Sequence, residues 1–406
     1  MSDAPILAGL KVIDAATYIA APSAAAMLAD FGAEVIKIER PPHGDPFRYL
    51  HHLPGLPSSP VAYPFLMDNR NKRSLAVNLG CQQGREILLK LVAHSDVFIT
   101  NYQPQMQARF RLSYQDLVEV NSRLIYASVT GYGETGEEAE KPGYDMTAYY
   151  ARSGLMDFLY NAGGDLALPP CGFGDHPTAV SLLSGILLAL HQRHKTGKGS
   201  KVTTTLMHNG VWANSSLAQG ALCGARWPER PRRHEPPNPL VNHYRAGDGK
   251  RILFCLLDAA RDWPKLCAAI ERSEWTGDPR FATPDARCEN SAALVALLDA
   301  ELARYPLEEW MRRFRDQDVL FGIVAETEAL PRDAQMAATG VFVPLEGSQM
   351  QTIDSPMRLE GVSKVPPRMP PCAGEHTRRI LAELGYSGER IAEMEAVGVV
   401  MQGESS

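Results

Sequence analysis

The segment Gly172-Phe173-Gly174-Asp175-His176-Pro177-Thr178 places a single carboxylate between a glycine turn and the apolar run Ala179 to Leu190. The spacing of that run predicts a helix beginning just after Asp175. A carboxylate there feels the positive end of the helix and sits beside backbone N–H groups able to stabilise an oxyanion formed next to it. Two roles fit those residue types. Asp175 is either an ordinary helix cap, for which Asp is a favoured residue, or a nucleophile able to attack an acyl carbonyl.

The elements that must position it begin at the N-terminus. Lys11 to Asp14 reads as a strand, Ala20 to Phe31 as a helix and Glu34 to Glu39 as a second strand, a βαβ unit of the Rossmann type. In such units the loop after the first strand faces a ligand. That loop, Ala15-Ala16-Thr17-Tyr18-Ile19-Ala20-Ala21-Pro22, carries no G-x-G-x-x-G, so the phosphate-cradling turn of a dinucleotide site is missing. Strands at 75–79, 97–100 and 124–129 and a helix from Gln82 to His94 continue the alternation expected of an open α/β sheet. A strand at 201–206 follows the helix after Asp175. The Pro- and Arg-rich stretch 226–239 marks a connection. Beyond it come a hairpin, His243-Tyr244-Arg245 into Arg251 to Cys255, and amphipathic helices near 261–271, 291–303 and 307–316.

A chain of 406 residues with 45% apolar content can bury two or three domain cores. Its net charge of −6 gives no general reason to expect nucleic acid or a membrane surface as a partner. No apolar run is long enough to span a bilayer, and Met1-Ser2-Asp3-Ala4-Pro5 lacks the order of a signal peptide, so a cytoplasmic protein is expected. Seven cysteines without a C-x-x-C pair indicate neither a disulfide framework nor a zinc site, and no His, Cys and acidic set has metal-ligand spacing.

Several segments in order over nearly the whole chain carry a resemblance: AEVIKIERP at 33–41, NKRSLAVNL at 71–79, DVFITNYQP at 96–104, SVTGYGETG at 128–136, PGYDMTAYYARSG at 142–154, the GFGDHPTA element, HKTGKGSKV at 194–202 and GEHTRRILAELG at 374–385. Together they resemble the class III CoA-transferases, the family of formyl-CoA transferase, carnitine CoA-transferase and the 2-hydroxyacyl-CoA transferases. The resemblance implies an α/β fold with a Rossmann-like large domain over residues 1–200, a linker over 201–240, a small α+β domain over 241–329 and a return to the large domain over 330–406. It also implies a homodimer of interlocked rings.

On this resemblance Asp175 is the nucleophile, passing through a mixed anhydride and an aspartyl-CoA thioester. Coenzyme A enters as substrate, with no permanently bound cofactor and no metal. Ile19 and Ala20 are expected along the pantetheine or adenine, Arg40 and Arg109 at the phosphates, and Val77, Asn78, Asn101 and Tyr102 around the nucleotide. Lys141, Tyr144 and Asp145 are expected near the reactive carbonyl. The chain departs from the formyl-CoA transferases twice: Gly80 stands where they have a lysine, and it has no glycine run in the small domain. Arg152, His176, His243 and Arg245, read as pocket neighbours, are more cationic than an aromatic or branched acid requires. A dicarboxylate acceptor such as itaconate, mesaconate or succinate, with succinyl-CoA as donor, is therefore expected ahead of a phenyllactate-like 2-hydroxyacid. Two other functions compete. An α-methylacyl-CoA racemase needs a histidine where Gly143-Tyr144-Asp145 has tyrosine, a poor base near neutrality. A non-catalytic CoA-binding protein would have no use for Asp175.

Overall fold

The computed structural model describes residues 4–404, which form two compact units. The first comprises the chain through Asp157, Leu168–Cys223 and the chain from Thr339 onward. It opens with β1 (Lys11–Ala15), α1 (Ala20–Asp30), β2 (Glu34–Glu39), α2 (Tyr63–Asn69) and β3 (Arg73–Val77). Next are α3 (Gln82–Ala93), β4 (Val97–Thr100), α4 (Pro104–Phe110), α5 (Tyr114–Val120) and β5 (Ile125–Thr130). A wide π-type helical turn, Asp145–Ala151, then precedes α6 (Asp175–Thr196), β6 (Ser200–Thr205), α7 (Leu206–Ala213) and α8 (Ser215–Leu222). Residues 201–222, expected to be linker, are thus the last parallel strand and two helices. The linker reading took its cue from the Pro- and Arg-rich stretch that begins only at Arg226.

The second unit, Phe158–Ala167 with Gly224–Ala338, has its own core. In it β7 (Val241–Arg245) pairs antiparallel with β8 (Arg251–Cys255), as the hairpin signal predicts. Helices α9 (Ala259–Ala269), α10 (Pro284–Glu289), α11 (Ser291–Leu302) and α12 (Leu307–Asp316) follow, and β9 (Phe321–Val324) completes a three-stranded sheet. Trp310, Phe314, Tyr244 and Phe254 are fully buried there, an aromatic core large enough for a small α+β unit. The rest of the chain forms α13 (Ala334–Thr339), the hairpin of β10 (Phe342–Pro344) and β11 (Gln351–Ile353), helices α14 (Thr377–Glu383) and α15 (Gly388–Ala396), and β12 (Val400–Met401).

The large sheet runs β12-β3-β2-β1-β4-β5-β6, with β12 antiparallel to β3 and every other pair parallel. Strands β1, β3, β4 and β5 are buried on both faces because helices cover both, whereas the edge strand β6 is partly exposed. Val12 packs into a core with α1 and α6, while its neighbour Ile13 faces α3, α14 and α15 on the other side. The alanines of α1 bring that helix close to α6, whose Ala179, Leu182, Leu183 and Ile186 recur on one face. α6 ends where Gly197 turns left-handed, with φ of 73°. The order of the strands reverses between β1 and β4. In open α/β sheets the crevice beyond the carboxyl ends of the strands at such a reversal is where ligands bind.

Candidate active site

The reversal is locked by one side chain. Asn101, just after β4, accepts a hydrogen bond from Thr17 N–H at 3.1 Å and donates to Thr17 C=O at 2.7 Å, fixing the loop after β1. Its neighbour Tyr18 is left-handed, with φ of 65°, a conformation that costs a non-glycine residue about 1 kcal/mol or more. The conformation is held by Asp45, which accepts from Tyr18 N–H at 3.2 Å, and by an edge-on contact of Tyr18 with Tyr144, ring centroids 5.7 Å apart.

Two cavities meet at Thr17. One, of about 500 Å³, is lined by this loop, by Leu50 and Leu53, by Lys141 to Met146 and by Asp175. The other, of about 350 Å³, is lined by Arg40, Val77, Asn78, Gly80, Tyr102 and Arg109 among others. Arg40 and Arg109 are exposed, and neither pairs with a carboxylate among the described residues. Two unpaired guanidinium groups on one cavity make an anion site suited to phosphates.

Asp175 lines the first cavity as the first residue of α6, and Gly174 occupies the cap position. Its carboxylate caps nothing, and it has no hydrogen bond or ion pair among the described residues. The loop that presents it depends on two glycines. Gly172 is left-handed at φ of 92°, and a Cβ on Gly174 would lie 2.5 Å from Cγ of Tyr149. Burial and the nearby Asp145 push the Asp175 carboxyl up to about 7, and Asp68 adds to this while His176 opposes it. Carboxylates with raised pKa values on cavity walls concentrate at functional sites, which makes Asp175 a candidate.

The residues read from the sequence divide between the two cavities. Arg40, Val77, Asn78, Tyr102 and Arg109 line the second, while Ile19, Ala20, Asn101, Lys141, Tyr144 and Asp145 line the first with Asp175. For Asp145 the structure changes the expected role. Its carboxylate is buried and accepts from Gly172 N–H at 2.8 Å, Gly174 N–H at 3.3 Å and Met146 N–H at 2.8 Å, so it holds the loop that presents Asp175. This also uses amides that the sequence offered as oxyanion donors. His176 N–H and Thr178 N–H are likewise spent, on Gly172 C=O and Gly174 C=O.

Of the four cations expected to read the acid, the two in the Asp175 unit, Arg152 and His176, are each partnered by a carboxylate. Arg152 and Lys141 share the Glu138 carboxylate, at 3.3 and 2.7 Å. His176 lies 3.2 Å from Asp68. His243 and Arg245 belong to β7 of the second unit.

Sequence reading missed the charges under the site. Lys37 and Lys72, both buried, share Asp14 at 3.7 and 2.8 Å, and Lys37 also meets Asp45 at 2.8 Å. Burial pulls Lys72 down to about 8 against the pull of Asp14, whereas Lys37, buried but beside Asp14 and Asp45, is raised. The Lys37–Asp45 pair thereby anchors the carboxylate that holds Tyr18. Alternation placed Asp14 and Lys37 on strands, but nothing local shows that their side chains meet.

No helix among the described residues is long and apolar enough to cross a membrane, and none of their His, Cys, Asp and Glu side chains cluster in a group that could hold a metal ion. Residues 7–377 match the CoA-transferase family III. The chain is 33% identical to the (R)-2-hydroxy-4-methylpentanoate CoA-transferase of Clostridioides difficile, over 95% of this chain and 97% of that one. It is 30% identical to the succinyl-CoA:glutarate CoA-transferase of Homo sapiens, over 100% of this chain and 92% of that one. A crystal structure of a CAIB/BAIF family protein from Brucella suis superimposes with a TM-score of 0.84 at 29% identity, covering 94% of this chain and 100% of the other. With the family match spanning most of the chain, and relatives that are themselves CoA-transferases, the protein belongs to CoA-transferase family III and is a CoA-transferase.

Proposed function

We propose that the enzyme moves CoA from an acyl-CoA donor to a small carboxylic acid with Asp175 as the nucleophile. The observation that carries this is the unpartnered Asp175 carboxylate on a cavity that meets, at Thr17, the one bearing Arg40 and Arg109. The Asp175 carboxylate attacks the thioester carbonyl, giving a mixed anhydride and CoA thiolate. The thiolate attacks the aspartyl carbonyl, releasing the donor acid and leaving an aspartyl-CoA thioester. The acceptor carboxylate attacks that carbonyl, expelling CoA thiolate, which takes the acceptor's acyl group and frees Asp175. Each step exchanges one acyl–heteroatom bond for another, so no net proton and no redox partner is needed.

In this reading the CoA phosphates lie at Arg40 and Arg109, and pantetheine follows the Thr17–Ala20 loop toward Asp175. Arg40→Ala and Arg109→Ala should each weaken donor binding by roughly 1.5–3 kcal/mol, about 10- to 150-fold in KM, with kcat little changed. Unchanged KM values in both variants would remove the groove from the proposal.

For the acceptor, the cavity favours an acid with an apolar body. Leu50, Leu53, Val129, Met146 and Leu206 line it, and its one lysine, Lys141, is already paired with Glu138. The dicarboxylate expectation rested on four cations, of which those in the Asp175 unit, Arg152 and His176, are partnered by Glu138 and Asp68. A 2-hydroxyacid-like monocarboxylate therefore replaces the dicarboxylate as the better reading, in line with the substrate for which the Clostridioides relative is named, while the glutarate relative keeps the diacid as the contrasting case. A mass-spectrometric screen of donors and acceptors should show branched monoacids outrunning itaconate, mesaconate and succinate at matched length. Faster diacid turnover would restore the dicarboxylate.

The reversal of strand order supports a Rossmann-like large domain. Exposed apolar side chains on α6 to α8, Leu188, Trp212 and Leu222, support the interlocked homodimer, since a monomer seldom leaves such groups open together. Small-angle scattering from a compact monomer at micromolar concentration would remove that assembly. Seven free cysteines fit the expected cytoplasmic location, and fractionation placing the protein in an oxidising compartment would oppose it.

A further inference from the structure

Asp68, near the end of α2, is 2% exposed, and its only ion-pair partner among the described residues is His176. One oxygen, Oδ1, accepts from Ser23 Oγ of α1 at 2.5 Å and lies 3.2 Å from His176 Nε2. The opposite edge of the imidazole rests under the Gly172 turn, where a Cβ would lie 3.3 Å from Cε1 and 3.5 Å from Nδ1. A buried carboxylate is costly unless paired. Here the pairing spends that cost on fixing a ring in the residue next to Asp175.

We propose that Asp68 and His176 are positioning residues for Asp175: the buried carboxylate holds an imidazolium beside the nucleophile, and that cation favours the ionised Asp175 needed for attack. The inference rests on the reading of Asp175 as the nucleophile. The other groups facing the pair are Asp145, which holds the Gly172–Gly174 loop, the Cys171 thiol on the same cavity, and Lys72, whose Nζ donates to the Asp68 main-chain oxygen at 2.8 Å. Asp145 opposes ionisation of Asp175, and His176 offsets part of that push. Burial works against a charged His176, but the Asp68 hydrogen bond and charge, with Asp175, hold its pKa above the ordinary value. No proton need move during turnover.

The test reads Asp175 directly and needs no substrate. A water-soluble carbodiimide with glycine methyl ester labels protonated carboxyls, and peptide mass spectrometry across pH gives the midpoint at Asp175 in the full-length enzyme. The wild type should lose labelling with a midpoint near 7. His176→Gln should move that midpoint up by about one pH unit, roughly tenfold more protonated Asp175 on the alkaline side, and Asp68→Asn should move it up by less, because it removes the Asp68 charge along with the support for the imidazolium. The double variant should fall below His176→Gln, because the second change removes no further cation and takes away the Asp68 charge that pushes Asp175 up. The His176 side chain is 44% exposed, so His176→Gln leaves the core intact and decides the matter even if Asp68→Asn does not fold. An unmoved or lowered midpoint in His176→Gln overturns the inference. Normal CoA transfer by Asp175→Ala would instead overturn the nucleophile reading, and the labelling result would stand apart from it.

Discussion

Asp175→Ala should abolish CoA transfer, with kcat falling by roughly 10³- to 10⁶-fold, the scale for losing a covalent nucleophile. CoA affinity should survive, because Arg40 and Arg109 face the adjoining cavity rather than the one that holds Asp175. Hydroxylamine added during turnover should leave a hydroxamate at position 175 of the wild type. Ordinary turnover by the variant, or trapping at another residue, would end the proposal. The pH profile follows from the same environment. Attack needs the carboxylate, so the rate should climb with pH through about 7 and level off above 8. Stability should move the other way. The folded group titrates near 7 against an ordinary 3.8, so ionising it costs nothing below about pH 4, costs more as pH rises to 7, and costs in full above that. Asp175→Asn should therefore exceed the wild type by roughly 2–4 kcal/mol at pH 8 and show no such gain at pH 4, measured by denaturant unfolding.

Asp14→Ala should be the most damaging change away from the reacting group. It leaves Lys37 and Lys72 buried without the carboxylate they share, and breaking a buried pair in this way costs roughly 3–5 kcal/mol. Lys72 already titrates near 8, below the 10.5 of a free lysine, so the fold favours its neutral form and regains stability as pH rises. The variant's deficit should accordingly be larger at pH 7 than at pH 9.5. A loss under about 1 kcal/mol at pH 7 would show that the lysines find other partners. Because Lys37 also grips Asp45, which fixes Tyr18, the variant should lose donor affinity beyond what its folded fraction explains.

Periodicity was enough for the large sheet. β1, β2 and β4 carry apolar runs whose bounds fall within a residue of those read from the chain, while α6 begins where expected and runs on to Thr196, past the apolar run that ends at Leu190. Short helices such as α2 (Tyr63–Asn69) and α7 (Leu206–Ala213) were not legible. Seven or eight residues give barely two turns of pattern, and packing rather than local preference stabilises them. The omission mattered because α2 delivers Asp68 to His176 and α7 follows directly on β6.

The sequence by itself singled out Asp175 as the candidate nucleophile and Arg40 and Arg109 as candidate phosphate contacts, since ordered family motifs fix which side chain follows which strand end. It could not determine what each charge touches. Asp145 serves the Gly172–Gly174 loop, Arg152 is held by Glu138, and Asp14 joins Lys37 of β2 to Lys72 just before β3. Such pairings join residues up to 58 positions apart, and they depend on the register and twist that bring strand ends together. Only the folded sheet, with its order reversed between β1 and β4, decided that Asp14 and Asp145 are spent on partners while the Asp175 carboxylate on the cavity wall has none among the described residues.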